Sequence, residues 1–593
     1  MIDYFKKHWP VFLLIVTWFI FTWPFWLKGL VPAPLDFLVG FFAPWREHYN
    51  IPIKNPAIPD IVNQIIPWKI FTIDQWRQGI VPLWNPYNLA GTPNAANWQS
   101  AVFYPANLLP LIFDFITGWS LYILIQPLLA GLFTYLFARS IKLSPLGSLL
   151  SALSFSFSGF MTSWLEWGTL GHAILWLPAS LWAIEKYLAT KKRAYYLINL
   201  VTLSLSLLAG HLQVSLYVIT VSLAYFYFRS RPLNILTILK GLTLQGVTPF
   251  LLVAFQVFPS IELYFHSLRS EAASNDWFRF FLIPVEYLIT FVAPDFFGHP
   301  VSRNEWGSGS YVEMMGYIGI VPLALALTAI FSWFKKRAKT KAPSVIPFFI
   351  TLIVLSLLLS LKTPMAELIL WLKVPIFASS SPARIIALVS FSLSILGGIG
   401  LDHINTQKQR IAQISGIKII AIGLLLLWLS VLMITFIAPT SLLATNVSIA
   451  RRNLIIPSFI IILFIAGSYG LWLMYQKKLI TSTSFSILNS LFVILLVSGD
   501  LYRFHHKFTP YTSRDYWYPN FGIRRTLKAV AQNDRVFGLF DANLNLPFLI
   551  KSPEGYDPLL VKNYAELTSA VRSGEPSLPE RQSLLTIGKN EPF

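Results

Sequence analysis

The chain has 593 residues, 55% hydrophobic and 12% charged, with a formal net charge of +19 and no cysteine. Apolar runs of bilayer-spanning length recur along most of it, which excludes an array of soluble domains and points to a polytopic membrane protein. The positive charge does not indicate nucleic acid, because the basic residues sit in short clusters between apolar runs, where the positive-inside rule puts them. The lack of cysteine excludes disulfides.

In chain order, Lys6 and Lys7 precede a long apolar run ending in WPFWLKG. No small-residue cleavage site follows, so this run reads as an uncleaved first helix. Spans are expected near Trp9–Leu27, Trp119–Ala138, Ser144–Ser163, His172–Leu188, Tyr195–Ala209, Gln213–Phe228 and Leu242–Phe265. Further spans are expected near Tyr311–Phe334, Val345–Leu361, Ile385–Leu401, Ile419–Ala438, Leu454–Tyr475 and Phe485–Tyr502. The expectation is an all-α fold of about thirteen transmembrane helices. The basic clusters Lys6/Lys7, Arg139/Lys142, Lys191–Arg193, Arg229/Arg231, Lys335–Lys341, Lys408/Arg410 and Lys477/Lys478 then all fall on the cytoplasmic side. An odd span count leaves the N-terminus cytoplasmic and the C-terminal tail extracytoplasmic, in a multi-pass protein of the cell membrane. Residues 280–293 read as a re-entrant or interfacial helix. The transmembrane domain covers residues 1–502, with a long first outer loop at 28–118 and a second at 266–310. Residues 503–593 have ordinary globular composition; GIRRTLKAVAQ reads as a helix and DRVFGLF as a strand, so a small extracytoplasmic α/β domain is expected there.

In the first loop, Ile61, Ile65, Trp68, Phe71 and Trp76 fall near helical spacing, and Gly79 offers a stop. This predicts an amphipathic helix lying on the membrane, its aromatics at headgroup depth. The following segment is dense in Pro, Asn, Gly and aromatics, a composition that makes a defined irregular loop. DFLVGFFAPW (Asp36–Trp45) and DIVNQIIPW (Asp60–Trp68) echo each other, each running from an Asp to Pro-Trp.

The order Asp60-x3-Gln64-x2-Pro67-Trp68, then PLWNPYNLAGTP (Pro82–Pro93, holding Asn85) and NWQSAVFYPANLL (Asn97–Leu109), resembles the first outer loop of the YfhO family of bacterial membrane proteins. GHLQVSLY (Gly210–Tyr217), YVEMMGYIGIVPL (Tyr311–Leu323), SPARIIALVSFSLSILGGIGLD (Ser381–Asp402) and SPEGYDPLL (Ser552–Leu560) agree with it. That family is similar in architecture to the GT-C glycosyltransferases. The resemblance implies a GT-C-like enzyme that takes a sugar from a polyprenyl-phosphate carrier and passes it to an envelope polymer or lipid acceptor, with an acidic residue of the first outer loop as base. The chain lacks the longer C-terminal extension of some relatives, which leaves the acceptor open.

Such chemistry needs a base on the acceptor hydroxyl, a partner for the departing phosphate and room for the lipid tail. Asp60 is the first candidate for the base and Asp36 the second; the bland reading is a carboxylate capping an interfacial helix. Arg384, in SSSPARI at a span mouth, is the candidate phosphate partner, against a snorkelling arginine. Glu166, His211, Gln213, Glu313 and Tyr317 stand at the same level as polar groups near span ends, joined by Gln64, Trp68 and Asn85 as candidate substrate contacts. Glu313 and Tyr317 are expected one helical turn apart on one span. Glu554, Tyr556 and Asp557 sit on a Gly/Pro-held loop that either reaches the acceptor or is a turn in the tail. No cofactor is expected: a divalent ion between Asp36 or Asp60 and another acid has no supporting ligand spacing. Walker, HExxH and nucleophile-elbow motifs are absent, which argues against an ATP-driven pump or serine hydrolase. The rival reading is a transporter or lipid flippase for envelope precursors. The absence of paired inverted halves weighs against it.

Overall fold

Backbone polar groups in lipid have no water to bond, so an apolar run must satisfy its own amides, and this chain does so as helix. The computed structural model describes residues 2–270, 275–336, 344–407, 415–437, 442–576 and 582–587. Lys408/Arg410 and most of the Lys335–Lys341 cluster lie outside the described residues. Among them, seven helices are long and apolar enough to cross a bilayer: Phe115–Ser140, Leu212–Arg229, Ile235–Leu252, Pro382–Thr406, Ser415–Ile437, Ala444–Gln476 and Ser482–Phe508. The shorter apolar helices Trp9–Phe21, Arg193–Leu208, Ile320–Lys335 and Ile346–Ser360 accompany them. Phe436, Leu495 and Ile462 remain 82%, 71% and 64% exposed, an outer surface suited to lipid rather than water.

Five runs expected to be continuous are interrupted. Trp9–Leu27 parts at Thr22, between the helices Ile2–Phe21 and Trp23–Lys28. Ser144–Ser163 splits into Pro145–Ser156 and Gly159–Ser163, because Ser158 caps the second piece by accepting from the Met161 N–H. His172–Leu188 splits into Leu170–Ile174 and Trp176–Thr190. Leu242–Phe265 begins earlier, at Ile235, and breaks at Val253 before Ala254–Phe265. Tyr311–Phe334 starts as one short turn, Tyr311–Met314, then runs extended until the helix Ile320–Lys336. The extended piece crosses the break after Ser156, where the Gly159 N–H donates to the Tyr317 carbonyl and a Cβ on Gly159 would strike Met315.

Close helix packing in the bundle depends on small residues. On the helix Ile386–Gln407, Gly400 lies against the Leu325 backbone and Gly398 against the Gly147 carbonyl, with no room for a Cβ at either. Phe137, Phe155, Phe349 and Phe391 are wholly buried, and the Phe391 ring meets the other three at 5.1–6.1 Å. These rings join the helices Phe115–Ser140, Pro145–Ser156, Ile346–Ser360 and Ile386–Gln407 in one aromatic contact.

The long loops and the tail gather at one end. The helix expected at Asp60–Gly79 is present as a π turn, Ile61–Ile65, running into Ile66–Arg77, and Gly79 follows at φ +73°. It does not lie on a membrane surface. Ile61, Val62, Ile65, Trp68, Phe71 and Ile73 are all buried, because the tail covers it: Tyr518 donates to the Val62 carbonyl and the Asn543 N–H to the Asn63 carbonyl at 3.0 Å. The irregular segment that follows is ordered by a short antiparallel pair, Trp84–Asn85 with Thr92–Pro93. Residues 280–293 form no single helix; Asn275–Phe280 is followed by a 3-10 stretch, Val285–Phe291.

The tail carries helices Ile523–Ala531 and Lys562–Ser573 and a two-residue strand pair, Gly555–Tyr556 with Leu584–Leu585. The strand expected in DRVFGLF does not form. The Gly538 N–H is taken by the Glu554 carboxylate at 2.7 Å, which removes a donor a ladder would need. Phe540, Leu544, Leu546, Phe548 and Ile550 pack into the same hydrophobic core as the first loop and the spans.

Candidate active-site cavity

Asp60 and Gln64 are separated by one turn of the wide backbone ahead of the helix Ile66–Arg77, and Gln64 Nε2 donates to Asp60 Oδ1 at 3.2 Å. Across from them, the short turn Tyr311–Met314 presents Glu313, and the 3-10 turn Pro382–Ile385 presents Arg384. These two form a forked ion pair: Arg384 Nη2 reaches Glu313 Oε1 at 2.7 Å, and Nε lies 3.1–3.2 Å from both oxygens. Ser381 Oγ donates to Glu313 Oε2 at 2.9 Å, and the guanidinium faces the Trp164 ring at 5.0 Å.

His211 and Gln213 enter from the start of the helix Leu212–Arg229. His211 Nε2 lies 3.1 Å from Arg384 Nη1. Arginine only donates, so this nitrogen accepts and the ring proton sits on Nδ1. The approach of the Val214 N–H to Nδ1 at 3.4 Å is then a contact rather than a hydrogen bond. Burial, reinforced by Arg384 and Arg269, holds His211 well below the usual histidine range, so the ring is neutral. Gln213 Nε2 donates to the Ser381 carbonyl at 2.7 Å and to the Tyr217 hydroxyl at 2.9 Å, while its buried Oε1 has no partner among the described residues.

Asp60, Gln64, His211, Gln213, Glu313 and Arg384 line a single cavity of about 710 Å³. This volume is typical of a ligand site. Trp98, Trp164, Trp167, Tyr264, Phe265 and Phe281 supply aromatic walls, and Tyr556, Pro558 and Leu559 of the tail reach it from the loop side. Burial raises the Asp60 carboxyl above its ordinary value, a shift that Arg384 and the Gln64 hydrogen bond oppose. The arrangement thus holds a partly desolvated acid facing a neutral imidazole and a neutralised arginine.

Five of the residues that the sequence singles out lie elsewhere. Asp36 is buried with both oxygens on backbone donors, Phe37 N–H at 3.0 Å and Lys54 N–H at 2.6 Å, so it organises the loop rather than lining the cavity. Glu166 is behind the wall formed by Trp164 and Trp167, its Oε1 without a partner among the described residues; burial pushes it far up, against the pull of Lys54. Trp68 packs inside the loop layer, 6.2 Å from the Tyr556 ring. Asn85 is fully buried and accepts from the Tyr87 N–H. Tyr317 points the other way from Glu313 and donates to Asp500, since the backbone between them is extended rather than helical.

Among the polar residues that reach the site without having been singled out as its members are Arg269 and Asn97. Arg269, in the 3-10 turn Leu268–Ser270 after Ala254–Phe265, lines the cavity and donates to the Ser379 carbonyl at 3.0 Å. Nothing in the local composition of HSLRSE distinguishes it. Asn97 lines the cavity and ties the tail down, its Nδ2 donating to Asp557 Oδ2 at 3.1 Å. Burial pushes the Asp557 carboxyl up to about 6. The tail loop therefore does fold back over the first loop, with Tyr556 on the cavity and Asp557 behind it. Among the described residues no group of three His, Asp or Glu side chains is set to hold a metal ion.

Fold and site define a polytopic helical membrane protein with a roofed polar cavity at one end of its bundle. Among solved structures the chain is similar to ArnT from Cupriavidus metallidurans bound to undecaprenyl phosphate, at 12% identity and a TM-score of 0.44 over 92% of this chain and 84% of that one. The apo state of ArnT from the same organism gives 13% identity and a TM-score of 0.43 over 88% of each chain. The Archaeoglobus fulgidus oligosaccharyltransferase in its apo form gives 12% identity and 0.39 over 96% of this chain and 68% of that one. No family model and no curated protein matches the chain.

Proposed function

We propose that this protein is an integral-membrane glycosyltransferase that moves a sugar from a polyprenyl-phosphate donor to a hydroxyl of a cell-envelope acceptor. Asp60 takes the acceptor proton as the acceptor oxygen bonds to the anomeric carbon. The bond from that carbon to the phosphate oxygen breaks, and polyprenyl phosphate leaves. The single observation that carries the reading is the cavity itself. A carboxylate with a raised proton affinity and two arginines face one ligand-sized hollow, beside an apolar helix, Ala254–Phe265, whose Ile261 and Phe265 reach its rim. The resemblance of the first loop to the YfhO family supports the same chemistry.

In this reading the loop end of the bundle is extracytoplasmic, as is the tail, and the basic helix ends Arg139, Lys191 and Arg229 are cytoplasmic. The acceptor arrives from the aqueous side while the donor tail stays in lipid. The rival reading, a transporter or flippase, needs a polar route through the bundle. Phe137, Phe155, Phe349 and Phe391 pack ring to ring among the spans, and Asp60, Gln64, His211, Gln213, Glu313 and Arg384 share one cavity, which favours the transferase reading. Comparing envelope glycans and lipid-linked sugars in cells with and without the protein tests the proposal: accumulation of a lipid-linked sugar together with loss of one glycan modification is expected. Unchanged profiles of both contradict it.

A further inference from the structure

Sugar transfer from a lipid phosphate needs a cation for the leaving group, and Arg384 is already engaged on every side. Nη2 and Nε grip Glu313, Nη1 meets His211, and its face covers Trp164. A phosphate at Arg384 would have to displace a forked carboxylate.

Arg269 differs. It lines the same cavity and forms no ion pair with any carboxylate among the described residues; its one hydrogen bond there goes to the Ser379 carbonyl. It is partly buried; Asp557 and Tyr556 stand near enough to favour its charge but no carboxylate is in ion-pair contact with it among the described residues, so burial is only partly offset until an anion joins it. Its position is fixed by the backbone: the neighbouring Leu268 N–H donates to the Leu560 carbonyl at 3.0 Å, and Ser267 bridges Val561. Arg269 also follows directly on Ala254–Phe265, where Phe255, Phe258, Ile261 and Phe265 are 54%, 65%, 43% and 70% exposed. Their spacing puts all four on one helix face, and the last two reach the cavity rim. One continuous path thus runs from an apolar helix face to a guanidinium that, among the described residues, has no carboxylate in ion-pair contact.

We infer that Arg269, not Arg384, binds the phosphate of a polyprenyl phosphate whose tail lies along the exposed face of Ala254–Phe265. The inference rests on the proposed function for its substrate class, but binding tests it separately from turnover. The full-length protein in detergent is titrated with undecaprenyl phosphate, with the neutral polyprenol, and with inorganic phosphate as competitor. Arg269→Gln is expected to weaken undecaprenyl phosphate binding at least 10-fold, Arg269→Lys less, with polyprenol binding and melting temperature unchanged. Phe258→Ser is expected to weaken both lipids alike. Wild-type affinity in Arg269→Gln, or an equal loss for the neutral polyprenol, overturns the inference. Competition by millimolar inorganic phosphate overturns it too, by assigning the site to free phosphate. If binding depends on Arg269 but no lipid-linked sugar is ever turned over, the phosphate site stands and the transferase reading falls.

Discussion

Glu313 and Arg384, 71 residues apart in sequence, meet as a forked ion pair at the wall of the cavity, with side chains only 7% and 17% exposed. Removing one partner leaves the other shielded and uncompensated, which is far more costly than removing both. Glu313→Gln is expected to destabilise the protein by ~3 kcal/mol. The double variant Glu313→Gln/Arg384→Gln is expected to lose clearly less than the sum of the two single changes. Thermal melts in detergent give the cycle, and additive losses would show that the pair is not coupled.

The tail loop is expected to sense pH through Asp557, whose carboxyl burial lifts from 3.8 to about 6. A carboxyl raised on folding favours the protonated folded state. Its contribution is most favourable below pH 3.8 and is lost as pH rises to about 6. Roughly two pH units at about 1.4 kcal/mol each set a ceiling of ~3 kcal/mol. Asp557→Asn should abolish this dependence, so melting curves of wild type and variant should diverge between pH 4 and 6 and run parallel above it. A constant offset across that range would contradict the assignment.

Two glycines on apolar helices separate packing from propensity. A Cβ on Gly400 would strike the Leu325 backbone, whereas Gly423 has nothing within 4 Å of that position. Gly400→Val is expected to cost several kcal/mol or prevent recovery of monodisperse protein, since neither helix backbone can yield cheaply. Gly423→Ala should change stability by less than about 0.5 kcal/mol. Size-exclusion profiles of both variants decide it, and equal behaviour would refute the close crossing.

Much of this was legible in the sequence, and the reasons differ by element. Helix positions followed from apolar run length, and the local pair Asp60–Gln64 from its spacing. His211, Gln213, Glu313 and Arg384 were picked individually as polar groups near span ends, and the fold brings them to one cavity with Asp60. Breaks such as Phe157–Ser158 and Met315–Gly319 were not visible, because each depends on the other segment crossing it. That hidden crossing is why Tyr317 meets Asp500 instead of joining Glu313. The burial of the helix Ile66–Arg77 was missed for a similar reason: its cover comes from Tyr518 and Asn543, more than 400 residues on. Arg269 carries no local signature at all; only the cavity reveals it.

The central claim is that Asp60 is the base, and the pair Asp60→Asn and Asp36→Asn tests it most directly. Asp36 accepts two backbone N–H groups, so its replacement should lower the melting temperature while leaving turnover of the folded protein within a few-fold. Asp60→Asn should keep the fold and lower kcat by ~100-fold or more. Wild-type turnover should also rise with pH through a carboxyl pKa above the ordinary aspartate value, a rise absent in Asp60→Asn. Sugar transfer from a polyprenyl-phosphate donor is measured with the purified proteins across that pH range. Turnover by Asp60→Asn close to wild type would contradict the account.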